Sequence, residues 1–105
     1  FRDFIYIDDV IQAIIKSIKK KNTKGQIFNL GSGKLINIKN LIKNINNKIG
    51  KGKPEFGKVK LRSEENLKHY PSTKKIKKFL NWSPKINFNR GLYRTIEYYK
   101  KFNYK

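Results

Sequence analysis

The first half of the chain mixes two kinds of apolar pattern. Residues 4–7 are aromatic or β-branched without a polar interruption, which predicts a strand buried on both faces. Either Asp8 or Asp9 is placed to cap a following helix, whose apolar positions recur at helical spacing as far as Ile18. The cations and glycine of "KKKNTKG" end this helix. Residues 26–30, "QIFNL", predict a second short strand, and "GSGK" predicts a tight turn after it.

The second half predicts three helices and one further strand. Asn37 is placed to cap a helix whose buried stripe recurs every three or four residues over positions 38–49. "VKLR" alternates like a strand with one apolar face. Ser72 is placed to cap a short helix that Asn81 ends in the left-handed conformation, and Asn87 opens the last helix. The predicted order is β-α-β-α-β-α-α, an α/β fold within one domain of 105 residues.

The high positive charge of the chain suggests nucleic acid as a candidate partner. Twenty-six lysines and arginines face seven acids, giving a formal charge of +19, and such an excess is typical of polyanion binding. However, only four of these cations are arginines, at positions 2, 62, 90 and 94. Arginine is the side chain that reads phosphates and base edges through paired hydrogen bonds, so the small number of arginines weakens the case for nucleic acid. A basic nucleic-acid-binding module therefore stays as the alternative interpretation.

Four blocks, in order and at similar spacing, resemble one known family over nearly the whole chain. They are "RDFIYIDDV", "FNLGSGKLINIKNLI", "KKIKKFLNWSPK" preceded by an arginine, and "GLYRTIEYY". Together they are similar to the C-terminal part of the extended short-chain dehydrogenase/reductase family, the NAD(P)-dependent nucleotide-sugar epimerases, dehydratases and reductases. The resemblance implies a Rossmann-type α/β fold, with residues 1–33 at the edge of the nucleotide-binding sheet and residues 34–105 in a small substrate-binding lobe.

The resemblance also implies roles for three residues. Arg2 is expected to face the diphosphate of a nucleotide-sugar, and Arg62 to hold the same phosphates from the opposite side. A planar guanidinium suits this task because it forms paired, charge-assisted hydrogen bonds. Glu65 falls on the family's aspartate, which holds the ribose or the neighbouring loop. This sequence reads "RSEEN" where the family has a Pro-Gly turn, so the shape of that loop differs.

Three apparent motifs carry no chemistry in this interpretation. "YPSTK" matches Tyr-x-x-x-Lys, but Pro71 disfavours a helix at Tyr70, so Tyr70 and Lys74 would not share a helix face. "GSG" lacks the third glycine and the later acid of a dinucleotide site, which indicates a turn. His69 has no companion ligand or nucleophile in the sequence, so we expect it at the surface and expect no metal site.

The chain starts without methionine, and we expect a fragment of a longer enzyme that uses NAD or NADP. Because the family's catalytic tyrosine, lysine and cofactor loop have no counterpart here, the fragment should be inactive and bind no cofactor by itself. A lack of cysteine and of apolar membrane segments indicates a cytoplasmic protein that binds no membrane. Exposed strand edges predict either self-association or disorder in the first ten residues. A non-catalytic relative that uses the lobe for protein contacts is a further alternative.

Overall fold

The computed structural model describes residues 1–63 and 71–102, and these residues form four α-helices. Helix α1 spans Ile7–Lys19 and α2 spans Ile38–Ile49. The short helix α3 spans Lys74–Leu80, and α4 spans Phe88–Lys101. A single turn of 3₁₀-helix, Lys21–Thr23, follows α1.

The predicted α/β order is wrong for this chain, because the described residues contain no strand. In this part of the chain, pairing of the β type is confined to one antiparallel bridge, Arg2 with Ile36. Residues 4–6 and 26–30 lie outside the helices, and neither they nor "VKLR" pair into a ladder. A strand needs a hydrogen-bonded neighbour, and residues 1–63 and 71–102 supply no neighbouring strand for these segments.

Several helix boundaries confirm the sequence prediction. The side chain of Asn37 accepts from the backbone N–H of Asn40 at 3.1 Å, and Asn87 caps α4 by accepting from Arg90 at 2.9 Å. Asn81 ends α3 with φ 49° and ψ 39°, the predicted left-handed conformation. These features depend on a few neighbouring residues, which is why local sequence could identify them.

Three other helix predictions are wrong. Tyr6, not an aspartate, is the N-cap of α1, and Thr73 rather than Ser72 is the N-cap of α3. The expected buried stripe of α2 is also missing, since no residue of this helix is buried. The helix forms with its predicted cap, but little of the described chain covers it.

A small core joins the two ends of the sequence. Ala13 of α1 packs with Ile76, Leu80 and Trp82, and the partly buried side chains around them come from the two extended segments and from α3. The chain as a whole is a thin layer, measuring 49 × 38 × 18 Å with a radius of gyration of 16.6 Å. A compact domain of this length has a radius of gyration of about 13 Å. Much apolar surface therefore stays exposed.

Candidate functional site: a cleft held by two carboxylates

Asp3 fixes the "GSG" turn from 29 residues away. Its Oδ1 accepts from the backbone N–H of Ser32 at 3.0 Å and from the Ser32 hydroxyl at 2.5 Å. Its Oδ2 accepts from the backbone N–H of Gly33 at 2.7 Å. Successive amides of a glycine turn form a cradle for an anion. Here the anion is a carboxylate of the same chain, which confirms the interpretation of "GSG" as a structural turn.

The turn is also closely packed. Gly31 is buried, and a Cβ at this position would lie 2.8 Å from the carboxylate of Asp3 and closer still to the ring of Pro71. Gly33 has φ +75°, a conformation that glycine adopts without strain. The two glycines therefore serve different needs: Gly31 leaves room for its neighbours, and Gly33 provides the turn.

Asp9 performs the equivalent task for the segment between α3 and α4. It is 4% exposed, and its carboxylate oxygens accept from the backbone N–H groups of Lys85 at 3.0 Å and Ile86 at 3.1 Å. Its carbonyl oxygen accepts from Nε1 of Trp82 at 3.0 Å. A buried carboxylate is costly unless hydrogen bonds replace its water. These amides provide that replacement and fix the segment against the start of α1.

The two carboxylates hold opposite sides of a cleft of about 610 Å³. Phe4 and Ile5 lie between them in sequence and line the cleft, together with residues 32 and 34–36 on one side and 83–89 on the other. A volume of this size is in the range of small-molecule sites. Lys34, Lys85 and the hydroxyl and amide side chains can donate hydrogen bonds into the cleft, and none of the described residues that line it is an acid.

An apolar pocket of about 230 Å³ adjoins this cleft. It shares Phe4, Ile5 and residues 86–88 with the cleft and extends between α2 and α4 to Leu41 and Leu92. The rings of Phe4 and Phe88 meet edge to face, with centroids 6.1 Å apart. The combined site offers polar donors at one end and apolar surface at the other.

Arg2 lies beside the cleft, with its backbone fixed. Its N–H donates to the carbonyl of Ile36 at 2.9 Å, and its carbonyl accepts from the Ile36 N–H at 2.8 Å. The side chain is half-buried and donates from Nη1 to the carbonyl of Phe1 at 2.8 Å. Arg62 is exposed, in a segment without regular structure. The lining residues of the cleft include neither arginine, and Glu65 lies outside the described residues.

The structure describes only part of "YPSTK" and does not describe His69. Tyr70 and His69 lie outside the described residues. Residues 71–73 are not helical and α3 begins at Lys74, which supports the expectation that "YPSTK" is not a continuous helical pair. Within residues 1–63 and 71–102, no three His, Cys, Asp or Glu side chains group as metal ligands. None of the helices in these ranges is long and apolar enough to cross a membrane.

Sequence reasoning missed the roles of Asp3 and Asp9. The signal was present, since two carboxylates flank an apolar segment, but their partners are 29 and 76 residues further along the chain. The interpretation of Asp9 as a helix cap accounted for its charge locally. Only the folded chain shows which amides the carboxylates reach.

Comparison with known proteins identifies the class of protein. A family model described as GDP-mannose 4,6 dehydratase matches residues 1–95. A UDP-glucuronate 4-epimerase of Thermodesulfobacterium geofontis is 36% identical over 102 residues, which is 95% of this chain and 30% of that protein. The CDP-abequose synthase of Salmonella muenchen is 30% identical over 97 residues, 90% of this chain and 33% of that protein. Human dTDP-D-glucose 4,6-dehydratase is 27% identical over 106 residues, covering 95% of this chain and 30% of that protein.

These matches confirm the resemblance to nucleotide-sugar epimerases and dehydratases. The chain belongs to the GDP-mannose 4,6 dehydratase family of the extended short-chain dehydrogenases/reductases. It spans about a third of the length of the curated relatives it matches. No solved structure matches the chain significantly.

Proposed function

We propose that this chain is the C-terminal, nucleotide-sugar-binding portion of an NAD(P)-dependent epimerase, dehydratase or reductase. Family membership over residues 1–95 is the observation that carries the proposal. In the complete enzyme, NAD or NADP would take a hydride from a sugar carbon or return one to it. The tyrosine that acts as base, its lysine and the cofactor-binding loop would belong to a portion outside these 105 residues. This chain would then contribute substrate binding and no catalytic residue.

Within this proposal, Arg2 and Arg62 bind the diphosphate of the substrate. Arg2 suits this role because its backbone is bonded on both sides to Ile36 and the next residue, Asp3, is anchored to the turn at Ser32. The guanidinium therefore extends from a fixed point, which lowers the entropy lost when an anion binds. Arg62 is exposed, and its permanent positive charge would attract the same ligand. Glu65 would hold the ribose or the neighbouring loop.

The lining of the cleft beside Arg2 suits a ligand that is partly polar and partly apolar. Ile36, the bridge partner of Arg2, lines the cleft together with Lys34 and Lys85. A nucleotide-sugar has hydroxyl groups and phosphates that accept hydrogen bonds and a base that packs on apolar surface. In this proposal the division into residues 1–33 and 34–105 separates the part nearest the cofactor from the part that covers the substrate.

Phosphorus NMR on the chain of 105 residues tests this proposal. UDP-, CDP- and GDP-sugars would be titrated separately, with a sugar 1-phosphate and inorganic phosphate as controls. We expect saturable binding of at least one nucleotide-sugar, weaker binding of phosphate, and no turnover with NAD or NADP. A single-stranded oligonucleotide that binds tightly at low salt, while every nucleotide-sugar fails to bind, would instead favour the nucleic-acid alternative.

A further inference from the structure

Helix α3 exposes lysine over the whole side that faces away from the core. Ile76 and Leu80 are 2% and 1% exposed and pack with Ala13 of α1, so they define the buried side of the helix. Successive residues of a helix are about 100° apart around its axis. The remaining arc is therefore covered by the lysines at positions 74, 75, 77 and 78, all of which are exposed.

Lys16 of α1 extends this basic surface. Its Nζ donates to the carbonyl of Asn81, the C-cap of α3, at 3.1 Å, so its ammonium group lies at the C-terminal end of that helix. We call Lys16 and the four lysines of α3 the lysine face. Among the described residues, no acid forms an ion pair with any of these five lysines.

Helix stability does not account for the lysine face. Cations suit the last turn of a helix, but Lys74 and Lys75 occupy the first turn, where the helix dipole favours acids. Lys74 and Lys78 also repel each other, because like charges four residues apart on a helix are destabilising. The lysine face therefore opposes folding of α3 in the free chain, and an anion bound across it would relieve the repulsion.

The lysine face is also unsuited to burial within a longer protein. This chain spans about a third of the relatives it matches, so further chain could cover its exposed apolar side chains. An ammonium group taken out of water without an acid partner instead loses its hydration at a high cost. Five such groups on one surface require either water or an anionic partner.

We propose that the lysine face binds the phosphate backbone of single-stranded nucleic acid without preference for base sequence. Lysine attracts a phosphate as a point charge, whereas base recognition relies on the paired hydrogen bonds of arginine. The lysine face contains no arginine, so it would hold a strand through its backbone and read no sequence. The proposal goes beyond the proposed function and uses none of its site residues, which are Arg2, Arg62 and Glu65.

Two aromatic rings beside Lys75 favour a single strand over other polyanions. The Lys75 Nζ lies 5.4 Å from the ring centroid of Phe28 and 5.9 Å from that of Phe79. Both rings are half-buried against the core, with their centroids 5.7 Å apart, so they are fixed next to the cations. Cations beside aromatic rings on which bases stack are typical of single-strand sites. An anionic membrane offers phosphates but no bases to stack.

Fluorescence anisotropy of a labelled oligothymidine, titrated with the chain of 105 residues, tests the proposal. The logarithm of the binding constant should fall linearly with the logarithm of the salt concentration, with a slope of about −3.5 for five phosphates neutralised on a single strand. An oligocytidine and a strand of mixed sequence should bind within about threefold of oligothymidine. A strand of abasic sites should bind at least about fivefold more weakly, because it keeps the phosphates and has no bases to stack.

A matched pair of double variants locates the site. Lys74→Gln with Lys78→Gln removes two cations four residues apart from the lysine face. Lys39→Gln with Lys43→Gln removes two exposed cations at the same spacing from α2, with the same change in net charge. The α3 variant should bind oligothymidine about tenfold more weakly, with a salt slope shallower by about 1.4, and the α2 variant should bind within about twofold of the wild-type chain. The unfolding temperature of the α3 variant should not fall, because the change removes a repulsion.

Four results would overturn the proposal. Equal losses in the two double variants would mean that total charge, and not the lysine face, binds the strand. Unchanged affinity for the abasic strand would exclude stacking. Binding to phosphatidylcholine vesicles containing phosphatidylserine that is as tight, at equal accessible phosphate, would favour a membrane. Excess nucleotide-sugar should leave binding unchanged, because the lysine face and the cleft share no residue; displacement of the strand would place it in the cleft.

Discussion

Asp9 and Trp82 hold each other in place across the start of α1. The indole Nε1 of Trp82 donates to the Asp9 carbonyl at 3.0 Å, and both residues are almost completely buried. The carboxylate of Asp9 meanwhile accepts from two backbone amides just beyond Trp82. One residue thus fixes both the tryptophan and the segment that leads into α4, and it joins the two ends of the sequence.

Asp9→Asn should destabilise the chain by about 2 kcal/mol. An amide group retains one acceptor oxygen, so one of the two backbone donors at positions 85 and 86 would face an NH₂ group in a buried site. Urea unfolding followed by fluorescence measures the effect, and Trp82 is the one tryptophan in the chain. The control is Asp8→Asn, where the side chain is 59% exposed and the expected change is below about 0.5 kcal/mol. Equal losses in the two variants would refute the buried anchor.

Gly31→Ala should destabilise the chain by about 2 kcal/mol or more, because the new methyl group has no room. It would collide with Pro71 and lie 2.8 Å from the carboxylate of Asp3. Gly25→Ala is the comparison: this glycine has open space around it but φ +75°, so it should lose about 1 kcal/mol through backbone strain. Thermal unfolding of both variants provides the test. A smaller loss at Gly31 than at Gly25 would contradict the close packing described here.

At position 81, replacement of asparagine by glycine should cost less stability than replacement by alanine. Its φ of 49° costs an alanine about 1 kcal/mol, whereas glycine adopts this conformation freely. We expect Asn81→Ala to lower the free energy of unfolding by that amount and Asn81→Gly to leave it nearly unchanged. Urea unfolding curves of the two variants give the comparison directly. The opposite order would mean that the side chain of Asn81, rather than its backbone conformation, determines how α3 ends.

Local sequence predicted the helices and failed for the strands, for a physical reason. Asn37 and Asn87 bond to amides three residues away, so the information needed to place each cap is adjacent in sequence. A strand instead depends on a partner that may be anywhere, and residues 26–30 find no ladder partner in the described part of the chain. Apolar, β-branched residues favour extended backbone, but they do not supply the neighbour that makes a sheet.

The same reasoning applies to the site. The resemblance assigned Arg2 from its motif, and the structure adds that its backbone is fixed against Ile36. Nothing in local sequence could show that the carboxylate of Asp3 fills the anion cradle of the "GSG" turn, because the two are separated by almost thirty residues. Sequence therefore identified the family, and the binding role of Arg2 stays a prediction, whereas the shape of the cleft required long-range contacts.

The most direct test of the proposed function is a nucleotide-sugar titration of four proteins: wild type, Arg2→Lys, Arg62→Lys and Arg90→Lys. Lysine keeps the charge but loses the paired hydrogen bonds to a diphosphate, so the first two variants should each weaken binding about tenfold with unchanged unfolding temperature. Arg90 is an exposed arginine in the first turn of α4, and its variant should bind within about twofold of wild type. Equal affinity in all four proteins, or an equal loss at Arg90, would contradict the proposal that Arg2 and Arg62 bind the diphosphate.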